Sequence, residues 1–519
     1  MNQKSFQKFN LEQQVSELFM VRINSDNLTS KDKKTIEDIT PGGFLFSSKT
    51  ISNVKAGKEL CKELERIVQS STKKITPFFA VEHEGGEIFA LPQEATPIPS
   101  AMAIGATGLT NFAYTTAYIT ALELRAIGIN MNFSPLIEPA SLNNCRLSRS
   151  RNFWDDPQSV ERFVLKYIRG LRNGGIISIA KYFPSCSLAK ENNDNELEID
   201  IEDIKQALPL LKRITSLSKV DGLMILNATI VDRKQKKTPA FLSKEVVKEI
   251  LAKDLSYHGL LITELLSENK NINEENLEDI AIKAIEVGND ILVIDENFEN
   301  LQKLKDAVVK EAKENPLLAG RIKKAFSKVI KKKTEYLEYF RKPTLQVIGC
   351  KKHRNEVEKI TRKSVGLVFD EGLLPLKPRI QNIVILVFAD IETYDLILSL
   401  VEEFEFKKTN VFLANEENTP LVTTKVRKAN AVIIFSQNLF NKTKERINVD
   451  KVIEQNEKSI LISVSDPYDV MFVRKPYVYI VAYSPDFYSI KSALEVVTGR
   501  LKPNGKIPKS LAEIINNGR

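Results

Sequence analysis

Polar and ionisable side chains directly follow a series of short apolar segments in the first 300 residues of the chain. The set includes Glu82, His83, Glu84, Glu138, Lys181, Tyr182, Asn227, Glu264, Asp295 and Glu296. Carboxyl, amine and imidazole groups move protons and stabilise charge, so residues of these types at equivalent positions are typical of a catalytic or binding site. Helix caps and solvated loop acids explain some members of such a set. They do not readily explain all of them, and we therefore predict a site that combines several of these residues.

The apolar segments that precede these residues have the pattern of buried parallel strands. They comprise residues 42–46, 77–81, 129–133, 176–180, 222–226, 259–263 and 290–294. Most lack the alternation of a half-exposed strand, which indicates burial on both faces. Amphipathic segments of helical length separate them, for example residues 156–173 and 244–254. This order predicts a (β/α)8 TIM-like barrel, an α/β fold whose functional residues lie at the carboxyl ends of its strands.

A second α/β pattern follows a charged helical segment at residues 301–341. Its apolar segments are residues 382–388, 410–413, 431–435, 459–463 and 478–482. Five short strands with intervening helices predict a smaller, mostly parallel sheet covered on both faces, which is an α/β sandwich. We therefore predict a barrel domain at residues 1–340, a linker at 341–360 and an α/β sandwich domain at 361–519.

The composition predicts a water-soluble, cytoplasmic protein. Hydrophobic residues make up 43% of the 519 residues and charged residues 27%, as in globular enzymes. The first residues are polar and lack the apolar core of a signal peptide. No run of about eighteen apolar residues occurs, so we predict no membrane partner. The four cysteines, Cys61, Cys145, Cys186 and Cys350, form no C-x-x-C pair, and neither a disulfide nor a metal site is predicted.

The net charge of +8 raises the alternative of nucleic-acid binding. The lysines, however, alternate with acids, for example in residues 303–306 and 310–314, which is typical of solvated helix faces. The chain shows no basic strand with interleaved aromatic residues that could stack on bases. We therefore predict no nucleic-acid partner, and only a steep salt dependence of binding would support that alternative.

Short motifs occur in a fixed order along nearly the whole chain. They are VEHEGG at 81–86, NFSPLIE at 132–138, RNFWDDP at 151–157, KYFPS at 181–185, PAFLS at 239–243, GLLITE at 259–264, RKSVGL at 362–367, LLPL at 373–376 and GRLKPNGKIP at 499–508. The set resembles the motifs of glycoside hydrolase family 3, most closely those of its bacterial β-N-acetylhexosaminidases. The family motifs that correspond to VEHEGG, NFSPLIE and KYFPS are DQEGG, NFAPVxD and KHFPG.

The resemblance implies retaining hydrolysis of terminal β-linked sugars, of the β-N-acetylhexosaminidase or β-glucosidase type, without a metal or organic cofactor. Retention requires a carboxylate nucleophile and an acid/base group. Glu264 occupies the nucleophile position, where the family has aspartate. The family's acid/base is a histidine on the loop after KHFPG, and ungapped counting from Lys181 places Asp194 at that position. Asp194 is therefore the predicted acid/base, with an ordinary solvated loop acid as the alternative.

The resemblance also implies a set of sugar-binding residues. Arg151 and Lys181 match residues that hydrogen-bond sugar hydroxyls, and charged donors make strong hydrogen bonds of this kind. Glu82 matches an aspartate that holds the terminal sugar. Tyr182 and Asn227 each replace a histidine of the family.

Two functional hypotheses follow for this carbohydrate site. One is an active hydrolase, favoured by Glu84, Arg151 and Lys181, which match the family. The other is a catalytically impaired pseudoenzyme that binds sugar or acts as a scaffold. The glutamate at 264 and the lack of any histidine between His83 and His258 favour the second hypothesis, since a fold alone does not establish an activity.

Overall fold

The structure is a computed structural model that describes most of the chain. It leaves out residues 1–8, 72–74, 142–146, 193–195, 270–276, 296–297, 338–339, 341, 377–381, 405, 407–408, 415–418 and 518–519. Eight parallel strands close into a barrel, in the circular order β1 to β8. The strands are β1 (Phe19–Ile23), β2 (Gly43–Phe46), β3 (Phe78–Val81), β4 (Met131–Asn132), β5 (Ile177–Phe183), β6 (Gly222–Ile225), β7 (Leu260–Leu265) and β8 (Ile291–Ile294). The predicted TIM-like barrel is confirmed.

Strand β1 closes the barrel, and it is not among the apolar segments that the sequence pattern identified. Phe19 pairs with Leu292 of β8, while Met20 pairs with Gly43 of β2. Inside the barrel, the ring of Phe79 stacks on that of Phe44, with centroids 6.0 Å apart. These rings help to fill the interior, as in barrels whose core is packed with side chains.

Helices surround the barrel and continue into the second half of the chain. They are α1 (Leu11–Ser16), α2 (Ser30–Ile39), α3 (Val54–Ser71), α4 (Ala101–Ala106), α5 (Thr110–Ile127), α6 (Pro157–Asn173), α7 (Ile201–Leu217), α8 (Leu277–Val287), α9 (Phe298–Glu314), α10 (Pro316–Leu337), α11 (Lys351–Ser364), α12 (Ile391–Glu403), α13 (Thr419–Lys428), α14 (Thr443–Gln455), α15 (Phe487–Val497) and α16 (Lys509–Asn516). A π-helix spans Glu245–Asp254. Helix α6 begins where predicted because Asp156 caps it and Pro157 supplies its first turn. In the described part of the chain, no helix is long and apolar enough to cross a membrane.

A small four-stranded sheet stands on the segments that follow β5 and β6. Its strands are Lys190–Glu191, Leu197–Asp200, Thr229–Val231 and Lys237–Pro239. The first two form an antiparallel hairpin, and the second pairs in parallel with Thr229–Val231. The long segment after β5 is thus tied to the segment after β6.

The second half of the chain forms a six-stranded sheet. Its strands are β9 (Gly366–Asp370), β10 (Ile383–Phe388), β11 (Asn410–Leu413), β12 (Ala431–Ser436), β13 (Ser459–Ser463) and β14 (Val478–Val481). Their order is β9-β14-β13-β12-β10-β11, and all neighbours are parallel except β9 and β14. The mostly parallel sheet was predicted, whereas the antiparallel edge strand β9 was not. The domain boundaries at 340 and 361 stay a prediction.

Buried polar contacts join the sheet domain to the barrel. Arg149 forms an ion pair of 2.7 Å with Asp466, and both side chains are buried. The hydroxyl of Ser100 donates to the carbonyl oxygen of Tyr483 at 2.6 Å. These contacts lie near the carboxyl ends of the barrel strands, so the second domain sits beside the barrel mouth.

Candidate active site

All eight barrel strands, or the residues directly after them, contribute to one cavity of about 340 Å³ at the mouth of the barrel. The titratable side chains in its described lining are Arg22, Glu82, Glu87, Tyr182, Glu264 and Glu268. The volume is in the range of small-molecule sites, and the carboxyl end of the strands is where barrel enzymes carry their active sites. The cavity is open, and Tyr182 lines it without filling it.

Glu264 lies near the end of β7, and its carboxylate is partly buried in this cavity. The backbone N–H of Asn227 donates to Oε2 of Glu264. Burial raises the pKa of Glu264 to about 7; the Asn227 hydrogen bond opposes this rise, and the negative charges of Glu82 and Glu268 add to it. A carboxylate that is poised near neutral pH, at the mouth of a barrel, has the properties of a catalytic group.

Arg22 and Glu268 line the same cavity and were not predicted from the sequence. Arg22 contacts Asp295 at 2.6 Å and Glu268 at 3.3 Å. Burial raises the pKa of Glu268, while the Arg22 charge lowers it and that of Glu82 adds to the rise. Arg22 belongs to the strand that the sequence pattern missed. Glu268 lies four residues after Glu264, and its proximity to a strand end was the signal that could have identified it.

Arg151 and Lys181 are buried next to the mouth, where both pair with Glu84. Arg151 donates two hydrogen bonds to the Glu84 carboxylate, from Nε and from Nη2, each at 2.8 Å. Lys181 forms an ion pair with the same carboxylate and lies 3.6 Å from Glu82. Burial opposes the ionisation of Glu84, but the charges of Arg151 and Lys181 outweigh it and hold its pKa at about 2. Glu84 is therefore the centre of a closed charge cluster, a role that the sequence did not indicate.

The other predicted binding residues lie at different depths. Glu82 and Tyr182 line the cavity, as Glu264 does. Asn227 does not belong to the described lining of the cavity. Its side-chain amide donates to the backbone oxygen of Leu265 at 3.0 Å. Asn227 therefore fixes the end of β7 and so positions Glu264.

Asp194, the predicted acid/base, lies outside the described residues. The hairpin that precedes and follows it is described: the N–H of Glu196 donates to the side chain of Asn192 at 2.9 Å, and the N–H of Asn192 donates to the carbonyl oxygen of Glu196 at 2.9 Å. The described lining of the mouth cavity includes no residue between Tyr182 and Met224.

Two side chains of the second domain contact Glu87, a barrel residue at the rim of the cavity. Its carboxylate accepts hydrogen bonds from the side-chain amides of Gln437, at 3.3 Å, and Asn438. Both donors are neutral, unlike the cations that contact Glu84. Glu87 therefore adds negative charge to the cavity rim and links it to the sheet domain.

Taken together, the mouth offers carboxylates around a cavity of small-molecule size. Four glutamates and a single arginine supply the charged groups of the described lining. Among the described residues, no cluster of histidine, cysteine and acidic side chains has the arrangement of a metal site. Nucleophilic attack by a carboxylate and hydrogen bonding to hydroxyl groups are the chemistry that these residues can supply.

A family model agrees with this geometry. The model described as the glycosyl hydrolase family 3 N-terminal domain matches residues 10–331. A β-hexosaminidase from Neisseria meningitidis serogroup A is 24% identical over 310 residues, which cover 58% of this chain and 84% of that protein.

Two solved structures share the fold over nearly the whole chain. A family 3 β-N-acetylglucosaminidase from Paenibacillus sp. superposes with a TM-score of 0.85 and 21% identity, covering 96% of this chain and 98% of that one. A fungal multi-domain family 3 β-N-acetylglucosaminidase superposes with a TM-score of 0.88 and 21% identity. This superposition covers 96% of this chain and 61% of the fungal protein.

Proposed function

Because this chain belongs to glycosyl hydrolase family 3, we propose that it is a retaining hydrolase of terminal β-linked sugars, of the β-N-acetylhexosaminidase or β-glucosidase type. The observation that carries the proposal is the carboxylate of Glu264 in an open cavity at the barrel mouth. The β-hexosaminidase and β-N-acetylglucosaminidase names of the relatives support an N-acetylhexosamine substrate.

In the proposed reaction, the carboxylate of Glu264 attacks the anomeric carbon while the bond to the leaving oxygen breaks. Asp194, as a carboxylic acid, gives its proton to that oxygen. In the second step, the Asp194 carboxylate takes a proton from water, and the water oxygen displaces Glu264 from the anomeric carbon. Two displacements at one carbon restore its configuration.

The proposed sugar-binding residues differ in how they act. Glu82 and Tyr182 line the cavity and would contact the sugar directly. Arg151 and Lys181 pair with Glu84 beside the mouth and are not in its described lining, so we expect them to act on the sugar through the charge of this cluster. Asn227 acts through Glu264. The acidic lining would repel a phosphodiester backbone, which supports a carbohydrate partner over a nucleic acid. We further propose that the protein acts in the cytoplasm, which cell fractionation would test.

A non-catalytic sugar-binding protein is the second candidate. The engagement of both cationic side chains by Glu84 favours it, because these groups are then less available to a sugar in the cavity. Turnover separates the two candidates directly.

The test is hydrolysis of 4-nitrophenyl N-acetyl-β-glucosaminide and 4-nitrophenyl β-glucoside by the wild-type chain. We expect Glu264→Gln to lower kcat by about a thousandfold or more, since it removes the nucleophile. Glu264→Asp keeps a carboxylate but moves it by about 1 Å, so we expect a loss of up to about a hundredfold with activity still measurable. Glu202→Gln, an exposed position on α7, is the control and should match the wild type.

No turnover of either substrate above the Glu264→Gln level would refute the hydrolase. Titration with N-acetylglucosamine by calorimetry would then decide between a sugar-binding protein and a barrel without a sugar site.

A further inference from the structure

A second cavity of about 340 Å³ lies beside the barrel mouth and has no part in the proposed reaction. The segments that follow β4 and β5 and the first half of α7 form its walls. The walls are mainly apolar and include Ile137, Phe183, Leu188, Ile204, Leu208 and Leu211. Tyr182 lines both cavities and so lies between them. The size and the apolar walls are typical of a small-molecule site, which also needs a few polar groups that fix its ligand.

Glu138 supplies such a polar group. Its side chain is only 4% exposed and lies in the wall of this cavity. Oε2 accepts hydrogen bonds from the hydroxyl of Ser185 and from the N–H of Ser187, the latter at 2.8 Å. Oε1 has no hydrogen-bond partner among the described residues. Buried polar atoms are rarely left unsatisfied, so an unmatched oxygen in a cavity wall points to a group that the cavity receives.

No cation in the described part of the chain forms an ion pair with the Glu138 carboxyl. Burial raises its pKa, whereas the hydrogen bonds from Ser185 and Ser187 and the more distant charge of Arg151 lower it. Arg151 itself is bound to Glu84. A carboxyl in this position can accept a hydrogen bond when ionised and donate one when protonated.

We propose that this cavity binds an uncharged ligand with a compact apolar body and one hydroxyl group, which pairs with Glu138. A hydroxyl both donates and accepts, so it matches the carboxyl in either protonation state. An anion would meet an acidic group and apolar walls, neither of which compensates its charge. In their described linings the two cavities share Tyr182 alone, and binding at Glu138 does not depend on turnover.

The test uses benzyl alcohol as the probe, with benzoate as its charged counterpart, titrated into the full chain by calorimetry and ligand-detected NMR. We expect saturable binding of benzyl alcohol at one site, with an affinity in the millimolar range. Benzoate should bind at least about tenfold more weakly.

Two variants locate the binding. Ala207→Phe places a ring in the cavity from α7 and should abolish binding of benzyl alcohol. Gly320→Phe is the control, because it adds the same ring where nothing lies within 4 Å, and binding should stay unchanged. Glu138→Met keeps the chain length but removes the polar group, and we expect a loss of at least about fivefold. Glu138→Gln keeps a hydrogen-bonding group in the cavity wall and should retain binding. If the methionine variant does not fold, Ala207→Phe still locates the site.

The proposal is overturned if benzyl alcohol shows no saturable binding to the wild type. It is also overturned if Ala207→Phe binds as the wild type does, since the probe then occupies another site. Equal affinity for benzoate would refute the inferred charge preference. None of these results bears on turnover by Glu264, so this proposal and the proposed hydrolase fail separately.

Discussion

Glu84 and Glu264 are two glutamates at the same end of one barrel, and their surroundings are electrostatically opposite. Glu84 is buried between two cations: Arg151 donates hydrogen bonds to both of its oxygens, and Lys181 forms an ion pair with it. Glu264 receives one neutral hydrogen bond, from the N–H of Asn227, and lies near two further carboxylates, while the charge of Lys181 acts on it without direct contact and more weakly than these.

The contrast shows in the two pKa values, about 2 for Glu84 and about 7 for Glu264. Burial raises the pKa in both cases, so burial alone does not separate them. Compensation by cations does, because each cation nearby favours the ionised form. The negative charge of Glu84 is thus balanced by neighbouring cations. The negative charge of Glu264 has no cation in direct contact among the described residues, so a ligand or a proton must balance it. This division between stability and chemistry within one mouth leads to three predictions.

The largest effect is expected from Glu84→Gln. It leaves Arg151 and Lys181 buried without their main counter-charge, and breaking a buried ion pair from one side costs about 3–5 kcal/mol. We expect the free energy of unfolding to fall by this amount, as measured by urea denaturation of the full chain. Glu264→Gln is the matched control, because it neutralises a glutamate that lacks such partners, and it should leave stability unchanged or slightly increased. Equal losses in the two variants would remove the contrast.

Much of the fold was predictable because a strand that is buried on both faces is a continuous apolar segment in the sequence. Segments such as Gly222–Ile225 and Ile291–Ile294 are continuous apolar runs, which few other structures produce. Strand β1 escaped detection because Arg22 interrupts its apolar run. That arginine is there because its guanidinium lies at the mouth beside Asp295 and Glu268. The pattern therefore failed where the strand carries a site residue.

The site was predictable only in part, because pairing depends on contacts between distant segments. Glu264, Glu82 and Tyr182 lie at strand ends, and strand ends of a barrel meet at one mouth. The choice of Glu84, rather than Glu82, as the main partner of Lys181 is set by three-dimensional packing. Sequence spacing holds no information on such distances.

The second prediction concerns the pH dependence of turnover, with an intermediate effect. Nucleophilic attack requires ionised Glu264, so the acid side of the kcat/KM profile should rise with pH through about 7, the pKa of that carboxyl. Loss of the proton that Asp194 must donate should set the fall on the alkaline side. In Glu268→Gln, a negative charge that raises this pKa is gone, and the rise should move to lower pH. The measurement is kcat/KM for the 4-nitrophenyl substrates between about pH 5 and about pH 9.

Glu202→Gln on the outside of α7 should leave the pH profile in place, since it lies far from the mouth and pairs with surface cations. A profile that does not move in Glu268→Gln would show that Glu268 does not act on Glu264. The two sides of the mouth would then differ only through burial and cations.

The smallest effect is expected at Glu87, which stands between the two extremes. Its partners, Gln437 and Asn438, are neutral donors from the sheet domain. Glu87→Gln removes the charge but keeps an acceptor, and so we expect stability to fall by about 0.5–1.5 kcal/mol, less than for Glu84→Gln. Asn438→Gly removes one donor without backbone strain, because Asn438 has a positive φ of 56° that glycine adopts freely.

A double-mutant cycle of Glu87→Gln and Asn438→Gly isolates the part of this contact that depends on the Glu87 charge, with thermal and urea unfolding as the measurements. A coupling energy of about 1 kcal/mol is expected, which is the difference between a hydrogen bond to a charged acceptor and one to a neutral acceptor. A coupling as large as the Glu84→Gln loss would mean that neutral amides compensate a mouth carboxylate as well as cations do. In that case the low pKa of Glu84 would no longer follow from its two cations alone, because neutral donors to a carboxylate would suffice.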